Sequence, residues 1–528
     1  MELPAFDSLL HADAYPHPVD QLQLRETHIS RVILTGDFAY KIKKPVNFGF
    51  LDFSTLEKRL HCCQEEVRLN RRTCPDIYLD VVPVMTRQGR LYLQGEGEIV
   101  DYAVKMRQFD ADATLADRLV QEGGVTAESL QNLGYRLAEF HTNAAQAAVG
   151  DPWGSEEEVL APVWQNFDQI MPLVADIAAR EQLEHIEAWS RAQAKALRSQ
   201  FEQRRQQGWV RELHGDLHAG NIAWIDGQWQ PFDCIEFNPG LRWVDTASDL
   251  GFLLMDLECK GFRAEANRIL NAYLEFNTDN SKNHYDLLKV LDFYCVYRAL
   301  VRAKVAILRL QQPDIPAATS DTLQQEFADN LQYCQTLTKA RPIFLALTSG
   351  VSGSGKSTVA RRVAVETGAI QLRSDVTRKR LCGLKPLQSS NGVPGGIYTD
   401  AISRQTFTQL RDDANAVLAA GFPVIVDATF LRVAHRAPFL TLAWQRRVPA
   451  AILLCQAQRT ELERRIHARQ QSGQDPSEAD ASVMTQQLQQ QESLTTQEAA
   501  LAIDADRLSQ GEDFLTLLPR NPDVENGA

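Results

Sequence analysis

Two short stretches of this chain hold residue types suited to handling phosphate and hydroxyl groups. The first is Gly350-Val-Ser-Gly353-Ser354-Gly355-Lys356-Ser357, followed by Thr358. It fits G-x-x-x-x-G-K-[ST] and lies between an apolar run and a helical pattern, the context that loop requires. Gly350, Gly353 and Gly355 let backbone N–H groups approach phosphate oxygens, and a helix starting there adds positive potential. Lys356 can reach the outer phosphates of ATP and Ser357 can hold Mg²⁺, with Ser354 and Thr358 beside them. The second stretch is His214-Gly-Asp216-Leu-His218-Ala-Gly-Asn221. In this H-x-D-x-x-x-x-N spacing Asp216 can accept a hydroxyl proton while Asn221 binds a metal. Asp233 follows, placed to be a second Mg²⁺ ligand.

Further groups surround the first stretch in sequence. Asp375 ends the short apolar segment Leu372-Arg-Ser-Asp375, and Arg378 lies one helical turn on. A carboxylate there can take a proton from a substrate hydroxyl and the arginine can hold a substrate anion. The alternative is a helix-capping aspartate with a surface arginine. Val424-Ile-Val-Asp427 is an apolar strand ending in an aspartate, an arrangement that coordinates Mg²⁺ or, in some kinases, binds substrate. Arg464, Arg465 and Arg469 lie on a helical stretch, and Arg465 and Arg469 share a face. They suit a lid closing over a phosphoryl group or, equally, a solvated basic face.

These residues need positioning elements. Arg31–Lys43 and Val100–Phe109 alternate as strands do, with a helix over Ser54–Arg72 between them, Ser54 as its N-cap and Glu57 as capping-box partner. Residues 126–206 are mainly helical. Ile222–Ile225 and Trp229–Phe232 form a hairpin around Asp226-Gly227. Helices resume to about residue 310, and another follows to about Leu337. Then Ile343–Thr348, Val424–Val426 and Ala451–Leu454 alternate with helices, which predicts a parallel α/β sheet. Gln470–Gln491 reads as a mobile, exposed polar segment. On Tyr297–Arg309, Arg298, Arg302 and Arg309 share a face, read as a solvated face or as an anionic-substrate or interdomain contact.

The expected domains are residues 1–335, with a small lobe over about 25–110 and a large lobe over 111–310, then 341–518, and a disordered tail over 519–528. The chain has 528 residues and a formal net charge of −13, which gives no general attraction to nucleic acid or anionic membrane. Nine cysteines without a CxxC pair fit buried reduced thiols. The start lacks a signal peptide's basic and apolar regions, and no apolar run reaches membrane-spanning length. A cytoplasmic protein is the expectation.

The C-terminal set, GVSGSGKS, RSDVTRKRL and VIVDATF with Arg436 after it, resembles the small P-loop kinases that include zeta toxins, polynucleotide 5′-kinases and gluconate kinases. The resemblance spans about residues 343–500. It implies Asp375 as general base, Arg378 and Arg436 as substrate contacts, and Arg465 and Arg469 as lid residues. HGDLHAGN, FDCIEF and Trp243-Val-Asp245-Thr-Ala-Ser-Asp249-Leu resemble the aminoglycoside phosphotransferase family, loosely over residues 25–310. That implies a bilobal protein-kinase-like α+β fold beside the C-terminal α/β domain, and a strand lysine paired with a helix glutamate. The lysine falls best on Lys41, with Lys43 on the same side of the strand, and the glutamate on Glu66, with Glu65 as alternative. Two departures stand out: only Gly36 lies near the expected phosphate loop, and the DFG position reads Asp233-Cys-Ile.

The expected activity is ATP- and Mg²⁺-dependent phosphorylation of small-molecule hydroxyls at two kinase-like sites. Two other readings are a P-loop domain that senses ATP and regulates the first kinase, and a nucleic-acid 5′-end kinase. The acidic charge argues against the last. Substrates and oligomeric state are not encoded in these motifs.

Overall fold

The computed structural model describes residues 6–49, 51–276, 284–313, 315–393, 395–472 and 475–519. The expected tail, except Pro519, falls outside them. The chain forms two compact units. The first comprises Met1–Ser129, Phe140–Pro162 and Phe201–Asp256; the second comprises Leu130–Glu139, Val163–Gln200 and Leu257–Ala528.

In the first unit, β1 (Gln23–Glu26), β2 (Ser30–Leu34), β3 (Phe38–Lys43), β4 (Tyr78–Arg87), β5 (Arg90–Leu93) and β6 (Glu98–Arg107) form one sheet in the order β1-β2-β3-β6-β4-β5, antiparallel throughout. The alternating run Arg31–Lys43 is thus two strands. They are joined by a tight turn at Gly36, whose φ of 98° favours glycine. Side chains two apart share a face. Tyr40 and Ile42 pack with Ile33, Val82 and Val84 in one core, which leaves Lys41 and Lys43 on the opposite face. That face packs Val104 and Tyr78 against Cys63 and Val67 of the helix Leu56–Asn70. Its N-cap is Thr55, whose side chain accepts the Lys58 N–H. The expected cap at Ser54 is not formed, because the Ser54 hydroxyl and N–H both bond Asp52.

Further along, β7 (Val210–Glu212) pairs with β10 (Trp243–Asp245), and β8 (Ile222–Ile225) pairs with β9 (Gln228–Pro231) as a hairpin. Its turn residues Asp226 and Gly227 have φ of 51° and 78°, as a type I′ turn requires.

The second unit holds β11 (Leu345–Ser349), β12 (Ile370–Arg373), β13 (Val424–Asp427), β14 (Ala450–Leu454) and β15 (Ala502–Asp504) in one parallel sheet ordered β12-β13-β11-β14-β15. The expected parallel α/β domain is present. β11 is buried along its length, so its run Leu-Ala-Leu-Thr-Ser alternates little. The chain leaves β11 for β12, at one edge of the sheet, and later adds β14 on the other side of β11. That makes the carboxyl end of β11 a topological switch point, where ligands of such sheets bind. The helices Leu287–Arg309 and Ala317–Leu337 pack together in this unit. Arg298 is buried and Arg302 pairs with Glu326 at 2.6 Å, while Arg309 is exposed, so the three arginines do not form one solvated face. Among the described residues, no helix is long and apolar enough to cross a membrane.

Candidate active sites

Lys41 donates to Asp233 Oδ1 at 2.6 Å and contacts Glu66 Oε1 at 2.8 Å. Lys43, on the same face, contacts Glu66 Oε2 at 2.6 Å and also pairs with Glu236. The structure therefore separates two lysines that the strand pattern left equivalent. Lys41 faces Asp233, while Lys43 is locked among Glu66, Glu236 and the Phe53 ring. Glu65 turns instead to Arg68 and Arg242. Burial opposes the charge on Lys41, but Asp233 and Glu66 outweigh it and hold its pKa well above the ordinary value. Burial likewise pushes Glu66 up, yet Lys41 and Lys43 hold it below the ordinary carboxylate range.

Asp233 has a φ of 64°, a strained conformation for a residue with a side chain. Two residues that the motifs did not reveal hold it there. The Tyr78 hydroxyl accepts the Asp233 N–H at 3.1 Å, and Asn70 accepts the Cys234 N–H at 2.9 Å. The loop carrying Asp216 is fixed in a similar way. Asp249, fully buried, accepts the His214 and Gly215 N–H groups at 3.3 and 2.8 Å. Asp256 accepts the Ala219 N–H at 2.9 Å. Asn221 donates to Asp216 Oδ2 at 3.2 Å. His218 Nδ1 accepts the Gly220 N–H, which leaves the proton on Nε2, 3.5 Å from Asp216 Oδ2. The sign of Asp249 was present in sequence as a polar residue in an apolar helix, Thr246–Cys259.

The P-loop runs from β11 into the helix Lys356–Thr367. Gly350, Gly353 and Gly355 all have positive φ, of 155°, 84° and 91°. A Cβ at Gly350 would lie 2.3 Å from the Cys455 carbonyl, and one at Gly353 2.9 Å from that of Leu462. The Ser354 hydroxyl is buried with no hydrogen-bond partner among the described residues. A loop confined to backbone width, with an orphaned donor, fits phosphate oxygens. Lys356 donates to Val351 O at 2.7 Å, and burial lowers its pKa.

The loop opens on a cleft of ≈ 870 Å³, lined by Gly353, Gly355, Lys356, Ser357 and Thr358. Asp375, Arg378, Asp427, Arg465 and Arg469 line the same cleft. Asp375 sits inside the first turn of the helix Ser374–Leu381 and does not cap it; Arg373 is the N-cap. Arg378 contacts Asp375 Oδ1 at 2.7 Å and lies over the Tyr398 ring. Burial raises the Asp375 carboxyl, but Arg378 and Ser477 overcome this and hold it below its ordinary value. Asp427 closes β13 and accepts from Gln371 at 3.0 Å. Arg465 reaches Gly353 O at 3.4 Å from the helix Arg459–Ser472, while Arg464 points to solvent.

Arg436 is not brought to this cleft. It is buried, with Nε 2.7 Å from Glu498 Oε1 and Nη2 3.0 Å from Oε2, and it also donates to Phe430 O. This fork holds the turn after β13. Its helix, Val433–Arg446, offers Ala434 and His435 to the cleft instead, with Arg432 at its N-cap. The glutamine-rich stretch is not exposed throughout. Outside Gly473 and Gln474, which are not described, it spans the end of Arg459–Ser472, residues 475–480 outside helix and strand, and the helix Ala481–Gln490. Met484 is fully buried against Val351, Leu462 and Ile466, and Gln487 accepts the Ser352 N–H at 2.7 Å. Alternating Gln with Met484 and Leu488 was the available signal.

Among the described residues, no three His, Cys, Asp or Glu side chains cluster to hold a metal. Mg²⁺ is ordinarily held by one or two carboxylates together with substrate phosphates, and the oxygen donors Ser357 and Asp427, and Asn221 and Asp233, suit that mode.

Residues 345–494 match the family described as AAA domain. An uncharacterized protein of Mycobacterium tuberculosis is 31% identical over 439 residues, covering 81% of this chain and 82% of that one. One from Mycobacterium bovis matches to the same extent. Among solved structures, a gluconokinase from Sinorhizobium meliloti is 22% identical with a TM-score of 0.23, covering 31% of this chain and 84% of that one. An amicoumacin kinase in complex with AMP-PNP, Ca²⁺ and Ami is 14% identical with a TM-score of 0.37, covering 60% and 90%.

Fold and site define the class: a chain whose second unit is a P-loop α/β domain, with a phosphate-binding loop at the end of the central strand of a parallel sheet. The chain belongs to the family of the two mycobacterial proteins.

Proposed function

We propose that this protein transfers the γ-phosphate of ATP to hydroxyl groups of small molecules at two sites, one in each unit. The observation that carries the reading is the single cleft that gathers Lys356, Asp375 and Asp427. In it the P-loop N–H groups and Lys356 bind the phosphates, and the Ser354 hydroxyl adds a donor. Asp375, kept ionised by Arg378, takes the proton of the acceptor hydroxyl. Arg465 and Arg469 neutralise charge developing on the transferring group. Ser357 and Asp427 would hold Mg²⁺, which when bound supplies charge neutralisation at the phosphates.

In the other unit Lys41, aligned by Glu66, binds phosphate oxygens, and Asp216 takes the acceptor proton. Asn221 and Asp233 would hold Mg²⁺ there. His218 orients the Asp216 carboxylate, and Asp249 fixes the loop under it. Residues 1–335 and 341–518 are the proposed domain limits, and the reducing interior of the cell is the proposed location. The test is a screen of a metabolite pool with the full chain, Lys356→Ala and Asp216→Asn. Each variant should lose a different set of phosphorylated products. Products that survive both substitutions unchanged would contradict the assignment.

A further inference from the structure

In the second unit, β12 lies at the edge of the parallel sheet, beside β13. The outer side of an edge strand presents N–H and C=O groups that need partners. Here the partner is a side chain of the same unit. Asn271, on the helix Arg263–Phe276, donates from Nδ2 to Ala369 O at 3.2 Å and accepts the Gln371 N–H on Oδ1 at 2.7 Å. These two bonds, to the residues flanking Ile370, are the ones a neighbouring parallel strand would make. One turn further along the helix, Glu275 contacts Arg373 Nη1 at 3.0 Å. Arg373 is the register partner of Asp427 across β12 and β13, so their side chains share a face. Its buried guanidinium meets two more carboxylates, Asp475 from Nη2 at 3.2 Å and Asp427 from Nε at 3.7 Å. The last is an ion-pair distance, too long for a hydrogen bond. Gln371, two residues earlier on the strand, donates to the same Asp427 Oδ2 at 3.0 Å.

Both groups that reach Asp427 Oδ2 are thus held by one helix, Gln371 by Asn271 and Arg373 by Glu275. That helix lies outside residues 345–494, the stretch that matches the AAA-domain family. Burial opposes the charge on Arg373, but Glu275, Asp475 and Asp427 outweigh it and hold its pKa above the ordinary value. The guanidinium is therefore a permanent cation, and charge-assisted bonds to carboxylates decide where it sits. With Glu275 ionised it is drawn toward the helix. With Glu275 neutral, Asp475 and Asp427 are the anions left to it, and a guanidinium closing on Asp427 competes with a metal ion there. We infer that Glu275 and Asn271 are positioning residues of the P-loop site: Glu275 holds Arg373 off Asp427, and Asn271 fixes Gln371 against it, so that the carboxylate is presented to Mg²⁺. This rests on the reading of Asp427 as an Mg²⁺ ligand and adds the residues that prepare it.

The test is calorimetric binding of a non-hydrolysable ATP analogue to the full-length protein, with and without Mg²⁺. The P-loop class of sites is the one that Lys356→Ala removes, and Mg²⁺ should tighten binding to it. Glu275→Gln keeps the size and a hydrogen-bond acceptor but not the charge. It should cut the tightening by Mg²⁺ by about tenfold or more, the usual worth of a group that orients a metal ligand. Metal-free binding and the thermal midpoint should barely move. Asn271→Ala should act in the same direction, and Glu275→Asp, which keeps the charge, should retain part of the tightening. Adding Glu275→Gln to Arg373→Gln should cause no further loss, since no guanidinium is left to shift. Tightening unchanged in Glu275→Gln, an equal loss in Glu275→Asp, or additive losses in the double variant overturns the inference. Loss of metal-free binding together with a lower midpoint would make Glu275 structural and overturn it too. A Lys356→Ala isotherm identical to that of the unsubstituted chain would contradict the nucleotide reading of the loop and the inference together. The expected losses without any phosphorylated product would leave the inference standing and contradict the transfer reading instead.

Discussion

Lys356→Ala should abolish phosphorylation by the P-loop site, because the substitution removes the ammonium at the floor of the cleft. The check is ATP turnover of Asp216→Asn with and without this second change. Asp216→Asn by itself should cost about 10²–10⁴ in transfer at the other site, the usual worth of a general base. Nucleotide affinity should stay near normal there, since Lys41 and Glu66 are untouched. Arg436→Ala should act differently from both. Breaking its buried fork with Glu498 should destabilise the second unit by about 3–5 kcal/mol. Chemical unfolding would measure it. The hydrogen bond from Arg436 lowers the Glu498 pKa. The stability this lends is complete above the ordinary carboxylate value and is lost as pH falls through the lower folded value. Arg436→Ala should therefore flatten the acid limb of the stability profile. The motif spacing was enough to single out Asp375 and Asp427, since each follows directly from a strand end. It could not place Arg436, because a helix start offers arginine both a cleft and a core, and only Glu498, sixty-two residues away, decides between them.

At the scale of elements, the P-loop is supported from a direction that composition concealed. The helix Ala481–Gln490 looks polar, yet one face buries Met484 and directs Gln487 to the Ser352 N–H. Met484→Ala should cost about 2–5 kcal/mol through the cavity it leaves, read as a lower thermal midpoint. Gln487→Leu removes the acceptor for a loop N–H and should raise KM for ATP more than it lowers the midpoint. An unchanged KM would show that the loop holds itself. The strands and the Asp226-Gly227 hairpin were legible because period-two alternation and turn chemistry are local. The Gln-rich stretch was not, because Val483, Met484 and Leu488 among many glutamines give a weak periodic signal. The Ser54 cap failed for a similar reason: Thr55, one residue on, serves as well, and Asp52 had already engaged Ser54.

For the whole molecule, the central claim is that the cleft at the end of β11 transfers phosphate to an acceptor rather than merely sensing ATP. Asp375 is where the two readings part. It lies inside a helix and caps nothing, and it is paired with Arg378 at the cleft wall. A sensor would need Lys356 and Asp427 but no base. The measurement is made on the full-length Asp375→Asn variant carrying Asp216→Asn to silence the other site, against Asp216→Asn alone. Phosphorylated product, free phosphate and thermal midpoint are read in parallel. The account predicts that transfer is lost while slow ATP hydrolysis persists and the midpoint barely moves. Transfer that persists while the midpoint drops would make Asp375 structural and would contradict it.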